Sequence, residues 1–135
     1  MLSRWTDFLT ADGEKPTRDR ETEFENDIKD KNELLHKWNE GWTCLLNAVN
    51  NLKEEDLTTI IYIRNEGHTV TEAINRQVAH YAYHVGQIVF IGKMIKDKDW
   101  ESLSIPRGRS QQFNADKFSK EKHEGHFTDD VLKKP

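Results

Sequence analysis

Two histidines, His80 and His84, lie four residues apart in the stretch INRQVAHYAYHVGQIVFIGKMIK, the least polar part of a strongly charged chain. Residues with this spacing lie one above the other on one face of an α-helix, so both imidazoles can direct a nitrogen atom to the same point. Neutral imidazole is a good ligand for Zn, Ni or Fe. The spacing therefore predicts a helix-borne pair of divalent-metal ligands, and the apolar residues around the pair predict that both rings face the interior of a helical bundle.

A second interpretation of the pair involves no metal. Buried polar groups need hydrogen-bond partners, and Gln77, Gln87 or Tyr62 could provide them. A catalytic metal usually has three protein ligands and one open position, so two histidines alone make an incomplete site. The residues by themselves leave both interpretations open.

The other histidines and the single cysteine are weaker candidates for chemistry. His68 directly precedes a helix cap and is interpreted as a residue of the capping turn. Cys44 stands among Leu and Trp residues, which favours a small core side chain over a nucleophile. The remaining three histidines lie outside the apolar patterns and are expected in solvent: His36, His123 and His126.

The helix that must position the pair has a clear beginning in the sequence. Thr69 and Glu72 form a capping-box pattern, and the run that follows is apolar nearly all round to about Lys96. Before it, the β-branched and aromatic residues of LTTIIYIRNEGHTV, with a turn signal at residues 65–67, predict a short strand or extended connection. We therefore expect a last long helix preceded by a short extended segment.

The rest of the chain also favours helices. Apolar residues at alternating steps of three and four predict a long helix from about residue 20 to 51, with Asp19 or Thr17 as its N-cap. Two or three helical turns are expected from Leu2 to Leu9, until the breaking sequence TADGEKP. After about residue 96 the chain predicts loops with weak local structure at best. The expected fold class is all-α.

Composition limits the kinds of protein that the chain can be. A length of 135 residues suits one domain, and four Trp, six Phe and three Tyr supply a core although 33% of the residues are charged. A net charge of -4 and the lack of a Lys/Arg-rich amphipathic stretch argue against nucleic acid and against a membrane surface as partners. One cysteine and no apolar run of membrane-spanning length make the cytoplasm the expected location.

Three segments resemble the DUF1572 branch of the DinB/YfiT-like superfamily: SRWTDFLTADGEKPTRDRETEFE, HTVTEAINRQVAHYAYHVGQIVFIGKMI and DWESLSIPRGRSQQFN. The most specific part is AHYAYHVGQI, which contains both histidines of the pair. The resemblance covers nearly the whole chain. It implies a DinB-like four-helix bundle over residues 1–109, here partial, followed by a polar C-terminal tail over residues 110–135.

The resemblance also implies a cofactor and a partner. Proteins of this superfamily hold a divalent metal (Ni, Zn or Fe) with three histidines in an open site and are often homodimers; His80 and His84 match two of the ligands. The third histidine, with a first helix and most of a second, precedes the segment corresponding to MLSRWTDFLT. We therefore expect an N-terminally incomplete domain, weak metal binding, and self-association through uncovered aromatic residues: Trp5, Phe24, Trp38 and Trp42.

The function implied by the resemblance is that of a metal-dependent enzyme acting on a small-molecule substrate. Thiol-dependent transfer is one reaction of the superfamily, and a transferase or hydrolase-like activity is expected. Asn75, Arg76 and Gln77, about one turn before the pair, could orient a substrate. The alternative is a non-catalytic helical dimer whose histidines are hydrogen-bonded core residues.

Overall fold

The chain is mostly helical in the computed structural model, which describes residues 1–25, 27–126 and 129. Its elements follow in the order α1 (Leu2–Trp5), α2 (Lys31–Asn50), β1 (Ile60–Ile63), β2 (Glu66–Thr69), α3 (Val70–Lys96) and α4 (Ser110–Phe118). The all-α class is confirmed, and the two short strands are the extended segment expected before the last long helix. Among the described residues, none of the helices combines the length and the apolar character needed to cross a bilayer.

The chain divides into two compact units, Met1–Gly86 and Gln87–Pro135. The first unit contains a buried core cluster: Trp5, Phe8, Leu45, Ile61, Val70 and Ala73. In the second unit, the Trp100 ring packs so closely on Gly92 that a Cβ atom there would lie 3.1 Å from it. That unit also contains α4, which forms where only weak local structure was expected.

The long helix predicted from about residue 20 begins only with α2. Asp30, rather than Asp19 or Thr17, is its N-cap, and its carboxylate accepts hydrogen bonds from the N–H groups of Asn32 (2.7 Å) and Glu33 (2.9 Å). Asp19 precedes only a single 3₁₀ turn, Glu21–Phe24, and its carboxylate accepts a hydrogen bond from the N–H of Glu21 (3.1 Å). An N-cap holds its own backbone in an extended conformation, so a strong cap within a periodic sequence starts a new helix there.

Helix α1 is a single turn, shorter than the two or three turns predicted. Thr6 has an extended backbone and Asp7 has a positive φ of 49°, which ends the helix. Trp5 and Phe8 nevertheless reach the core, with ring centroids 4.6 Å apart. The N-terminal segment is therefore held on the core by these two rings and not by the packing of a long helix.

Only some of the aromatic residues expected to be uncovered are so. Trp5 is 3% exposed, so the expectation was wrong for this residue, and Trp42 is half-buried. Phe24 (71% exposed) and Trp38 (51% exposed) do lie open on the surface. Trp5 is buried because the N-terminal segment folds onto the core. The helical period could not predict the position of that segment.

Strands β1 and β2 form an antiparallel hairpin with a two-residue turn. Ile63 pairs with Glu66, and the turn residues Arg64 and Asn65 have φ values of 56° and 62°. Two positive φ angles are typical of a type I′ turn. The carboxylate of Asp12 accepts hydrogen bonds from both turn N–H groups at 2.9 Å, so the turn is tied to the N-terminal loop.

Helix α3 begins with the predicted capping box. The N–H of Thr69 donates to Glu72 Oε2 (2.8 Å), and the N–H of Glu72 donates to Thr69 Oγ1 (3.1 Å). The reciprocal bonds satisfy two backbone donors that the helix itself leaves without partners. The hairpin therefore passes directly into the helix that carries the histidine pair.

Candidate metal centre

The two histidines of the sequence pattern lie side by side on α3. Nε2 of His80 is 3.3 Å from Nε2 of His84, and the ring centroids are 4.5 Å apart with the planes at 81°. Both residues belong to one uninterrupted α-helix, in which a spacing of four stacks side chains on one face. The prediction that both rings lie on the same side of one helix is confirmed.

The separation of the two ring nitrogens fits a shared metal ion. Imidazole nitrogens bind Zn²⁺ at about 2.0–2.1 Å, so two of them at a tetrahedral angle lie roughly 3.3–3.4 Å apart. The observed distance is 3.3 Å. The same distance suits an N–H···N hydrogen bond when one Nε2 carries a proton. The geometry therefore agrees with both interpretations of the pair.

Both rings are exposed, contrary to the expectation that they face a bundle interior. The buried residues of α3 are Val70 and Ala73, near its beginning. Partial desolvation, followed by the positive charges of His84 and Arg76, lowers the pKa of His80. A lowered pKa favours the neutral imidazole, which is the form that binds metal ions.

The pair lies along an open groove in the first unit, with a volume of about 870 Å³. The other walls come from α1, the loop after it and the hairpin turn. Of the three polar residues expected near the pair, Arg76 and Gln77 line this groove, whereas Asn75 is not among its described lining residues. Grooves of this size suit small molecules.

Basic side chains dominate the charged lining of the groove. Six are cationic, namely Arg4, Lys15, Arg18, Arg20, Arg64 and Arg76, against two acidic residues, Asp19 and Glu23. Sequence reasoning missed this concentration of charge because the residues come from separate parts of a chain whose net charge is -4. No local pattern marks them, since only the folded N-terminal segment brings them together.

Aromatic packing supports the groove beside the pair. Tyr81 follows His80 directly, and its ring centroid lies 5.2 Å from that of Trp42 on α2. Burial raises the pKa of the Tyr81 phenol, an effect that the Trp5 indole partly offsets. A buried phenol with a raised pKa stays neutral at physiological pH, so Tyr81 positions the wall without adding charge.

The other histidines and the cysteine considered from the sequence do not line the groove that holds the pair. His68 is in β2 rather than in a turn, and Cys44 is half-buried against the core with its Sγ 3.5 Å from Thr6 Oγ1. Within residues 1–25, 27–126 and 129, no third His, Cys, Asp or Glu joins the pair to form a larger ligand group. Three further histidines are exposed, as expected: His36, His123 and His126.

Comparison with known proteins identifies a family. A family model described as a protein of unknown function (DUF1572) matches residues 1–109. This range includes both histidines and every residue that lines the groove. No curated protein and no solved structure matches the chain.

Proposed function

The chain belongs to the DUF1572 family, and from this membership and the histidine pair we propose a divalent-metal-dependent enzyme of the DinB-like superfamily that acts on a small molecule. The observation that carries the proposal is the 3.3 Å separation of the Nε2 atoms of His80 and His84. The adjoining groove of about 870 Å³ has the size of a small-molecule site. Ni, Zn and Fe are the candidate ions, and thiol-dependent transfer is the first reaction class to assay.

Each residue near the pair has a defined part in this proposal. His80 and His84 hold the ion, which when bound supplies Lewis-acid polarisation of a substrate oxygen or stabilises a thiolate. Arg76 and Gln77 line the groove beside the pair and orient the substrate. Two exposed imidazoles leave most positions around an ion accessible, which suits a catalytic ion better than a structural one.

Calorimetric titration of Zn²⁺ and Ni²⁺ into the metal-free protein tests the site. We expect about one ion per chain, bound with roughly micromolar affinity or weaker because only two protein ligands are in place. His80→Ala and His84→Ala should each weaken binding by about tenfold or more. The matched control is His36→Ala, an exposed histidine on α2, which should leave the affinity unchanged. Tight binding that survives both substitutions would contradict the assignment.

A second candidate function is that of a non-catalytic helical dimer. It is favoured by the same 3.3 Å contact, because a hydrogen bond between the two rings satisfies both Nε2 atoms without an ion. This alternative predicts that the purified protein contains no stoichiometric metal and that a chelator leaves its Tm unchanged. Metal content and Tm with and without chelator therefore separate the two functions.

The proposal includes a homodimer in the cytoplasm. Trp38 on α2 is 51% exposed, and in the second unit Ile88, Ile91 and Ile95 are 59%, 54% and 77% exposed on one face of α3. Exposed apolar helix faces of this kind are rarely left open in a soluble monomer, and a second copy would cover them. The single, half-buried Cys44 suits a reducing compartment.

A further inference from the structure

The cations that line the groove differ in how they are neutralised. Arg18 donates to Glu14 (2.9 Å) and to Glu23 (2.7 Å), and the guanidinium of Arg64 lies 3.4 Å from Glu14. Lys15 donates to a backbone carbonyl, that of Asp12, at 2.6 Å. Arg18 and Arg64 are therefore occupied by carboxylates.

Arg4 and Arg76 are in a different situation. In the part of the chain that the structure describes, neither side chain makes an ion pair or a hydrogen bond, and Nε of Arg4 is buried without a partner. Gly13 lets the Arg4 side chain lie against the loop, since a Cβ atom at that position would be 2.9 Å from Nε. Burial, and then the positive charge of Arg76, lowers the pKa of Arg4. Two cations that line one groove, neither of them in an ion pair within the described residues, favour a ligand that supplies an anion.

The position of Arg76 relates such a ligand to the histidines. Arg76, His80 and His84 follow at intervals of four residues on α3, and all three line the groove. Four residues of α-helix rise about 6 Å, so an anionic group at Arg76 lies a few covalent bonds from an atom beside the pair. The groove volume of about 870 Å³ suits a small molecule rather than a macromolecule.

We propose that Arg4 and Arg76 bind the carboxylate or phosphate group of a small molecule whose other end lies at His80 and His84. Only the placement of that other end rests on the proposed function. The anion subsite itself belongs to the arginines and needs no metal. It deepens the proposed function by naming the substrate as an anion.

Calorimetric titration of inorganic phosphate and of succinate into the EDTA-treated full chain at low salt tests the subsite. We expect millimolar or tighter binding of at least one probe, and the tighter probe identifies phosphate or carboxylate as the preferred group. Arg76→Gln and Arg4→Gln should each weaken binding by about tenfold or more, and Arg76→Lys should restore part of it. The control Arg107→Gln removes one exposed positive charge outside the groove and should change the affinity by less than about twofold.

Three results would overturn the subsite. They are the absence of binding by either probe at about 10 mM, an equal loss in Arg107→Gln, and binding that requires added metal and disappears in His84→Ala. Arg4 packs against the N-terminal loop, so circular dichroism must show that its variant folds; if it does not, Arg76→Gln decides alone. Metal titration of Arg76→Gln keeps the two proposals apart, because this variant retains both imidazoles and should still bind one Zn²⁺ per chain.

Discussion

His80 and His84 are held at one distance by a single helix, so neither ring depends on a loop to meet the other. The ring nitrogens are already 3.3 Å apart, which reduces the ordering that metal binding requires. Each imidazole alone is a weak ligand. The affinity of the pair should therefore come from both rings acting together.

This cooperation predicts non-additive losses of metal affinity. His80→Ala should remove most of the Zn²⁺ affinity, and the double variant with His84→Ala should lose little more, because the first substitution already destroys the chelate. Calorimetric titration of both single variants and of the double variant measures the coupling. Additive losses would indicate that the rings bind separate ions.

The carboxylate of Asp12 predicts a pH dependence of stability. The backbone N–H groups of Asn65, Glu14 and Arg64 lower its pKa from 3.8 to about 2. The folded chain therefore binds fewer protons than the unfolded chain in this range, so this contribution is fully present above pH 3.8 and is lost as the pH falls through about 2.

Asp12→Ala should lower the Tm at neutral pH and flatten the decline of stability between pH 4 and pH 2. Thermal unfolding followed by circular dichroism over this pH range measures both effects. Asp116→Ala, at an exposed position on α4, is the control and should keep the full acid-dependent decline. An unchanged pH profile in Asp12→Ala would show that the hydrogen bonds to the Asp12 carboxylate contribute no stability.

Spacing could predict the shared face of the histidine pair but not its surroundings. The interval of four residues is a local property, whereas exposure depends on which segments cover the helix. Arg4 and Arg76 are far apart in sequence, and both line one groove. Their proximity follows from tertiary packing of the N-terminal segment, for which the helical period contains no information.

At the scale of elements, the capping box of α3 predicts a measurable stability. Thr69→Ala removes the hydroxyl that accepts the Glu72 N–H at 3.1 Å, and should lower the free energy of unfolding by about 1 kcal/mol. Urea denaturation measures the change. Thr43→Ala, at an exposed position within α2, is the matched control and should be neutral or slightly stabilising because Ala favours helix. Equal changes in the free energy of unfolding for the two substitutions would show that the cap does not stabilise the helix.

The predicted start of a helix agrees with the observed one where the N-cap could be recognised in the sequence. Thr69 and Glu72 lie at the junction of a strand-like and a helical pattern, so the sequence marked the start of α3 correctly. The helical period before α2 continued upstream past Asp30, and periodicity alone could not show that this cap interrupts it. For α1, the left-handed backbone of Asp7 ended the helix, although the apolar period continues to Leu9.

At the scale of the whole molecule, the exposed apolar face of α3 predicts dimerisation. The double substitution Ile88→Lys with Ile91→Lys places two charges on this face and should convert a dimer into a 15.9 kDa monomer. Light scattering at micromolar concentration gives the mass. Leu103→Lys, at a position 75% exposed outside that helix, is the control and should leave the dimer intact. A monomeric unmodified chain would contradict the prediction.

The domain boundary proposed after residue 109 remains a prediction. The family match covers residues 1–109, and the compact units meet within α3, between Gly86 and Gln87. Charge and turn residues in the sequence suggested the start of a tail, and they could not predict that α4 forms there. Apolar residues do not recur at a clear helical period within residues 110–118, so the pattern did not predict α4.

The aromatic residues beside the groove give the protein an optical signal of its own. Tyr81 adjoins His80 in sequence and packs 5.2 Å from Trp42, and Trp5 is buried against Phe8. Open-shell ions such as Ni²⁺ quench the fluorescence of nearby indoles, whereas closed-shell Zn²⁺ does not. Emission from the unlabelled chain would then report which kind of ion is bound, and the competition between ions could be followed continuously without a dye.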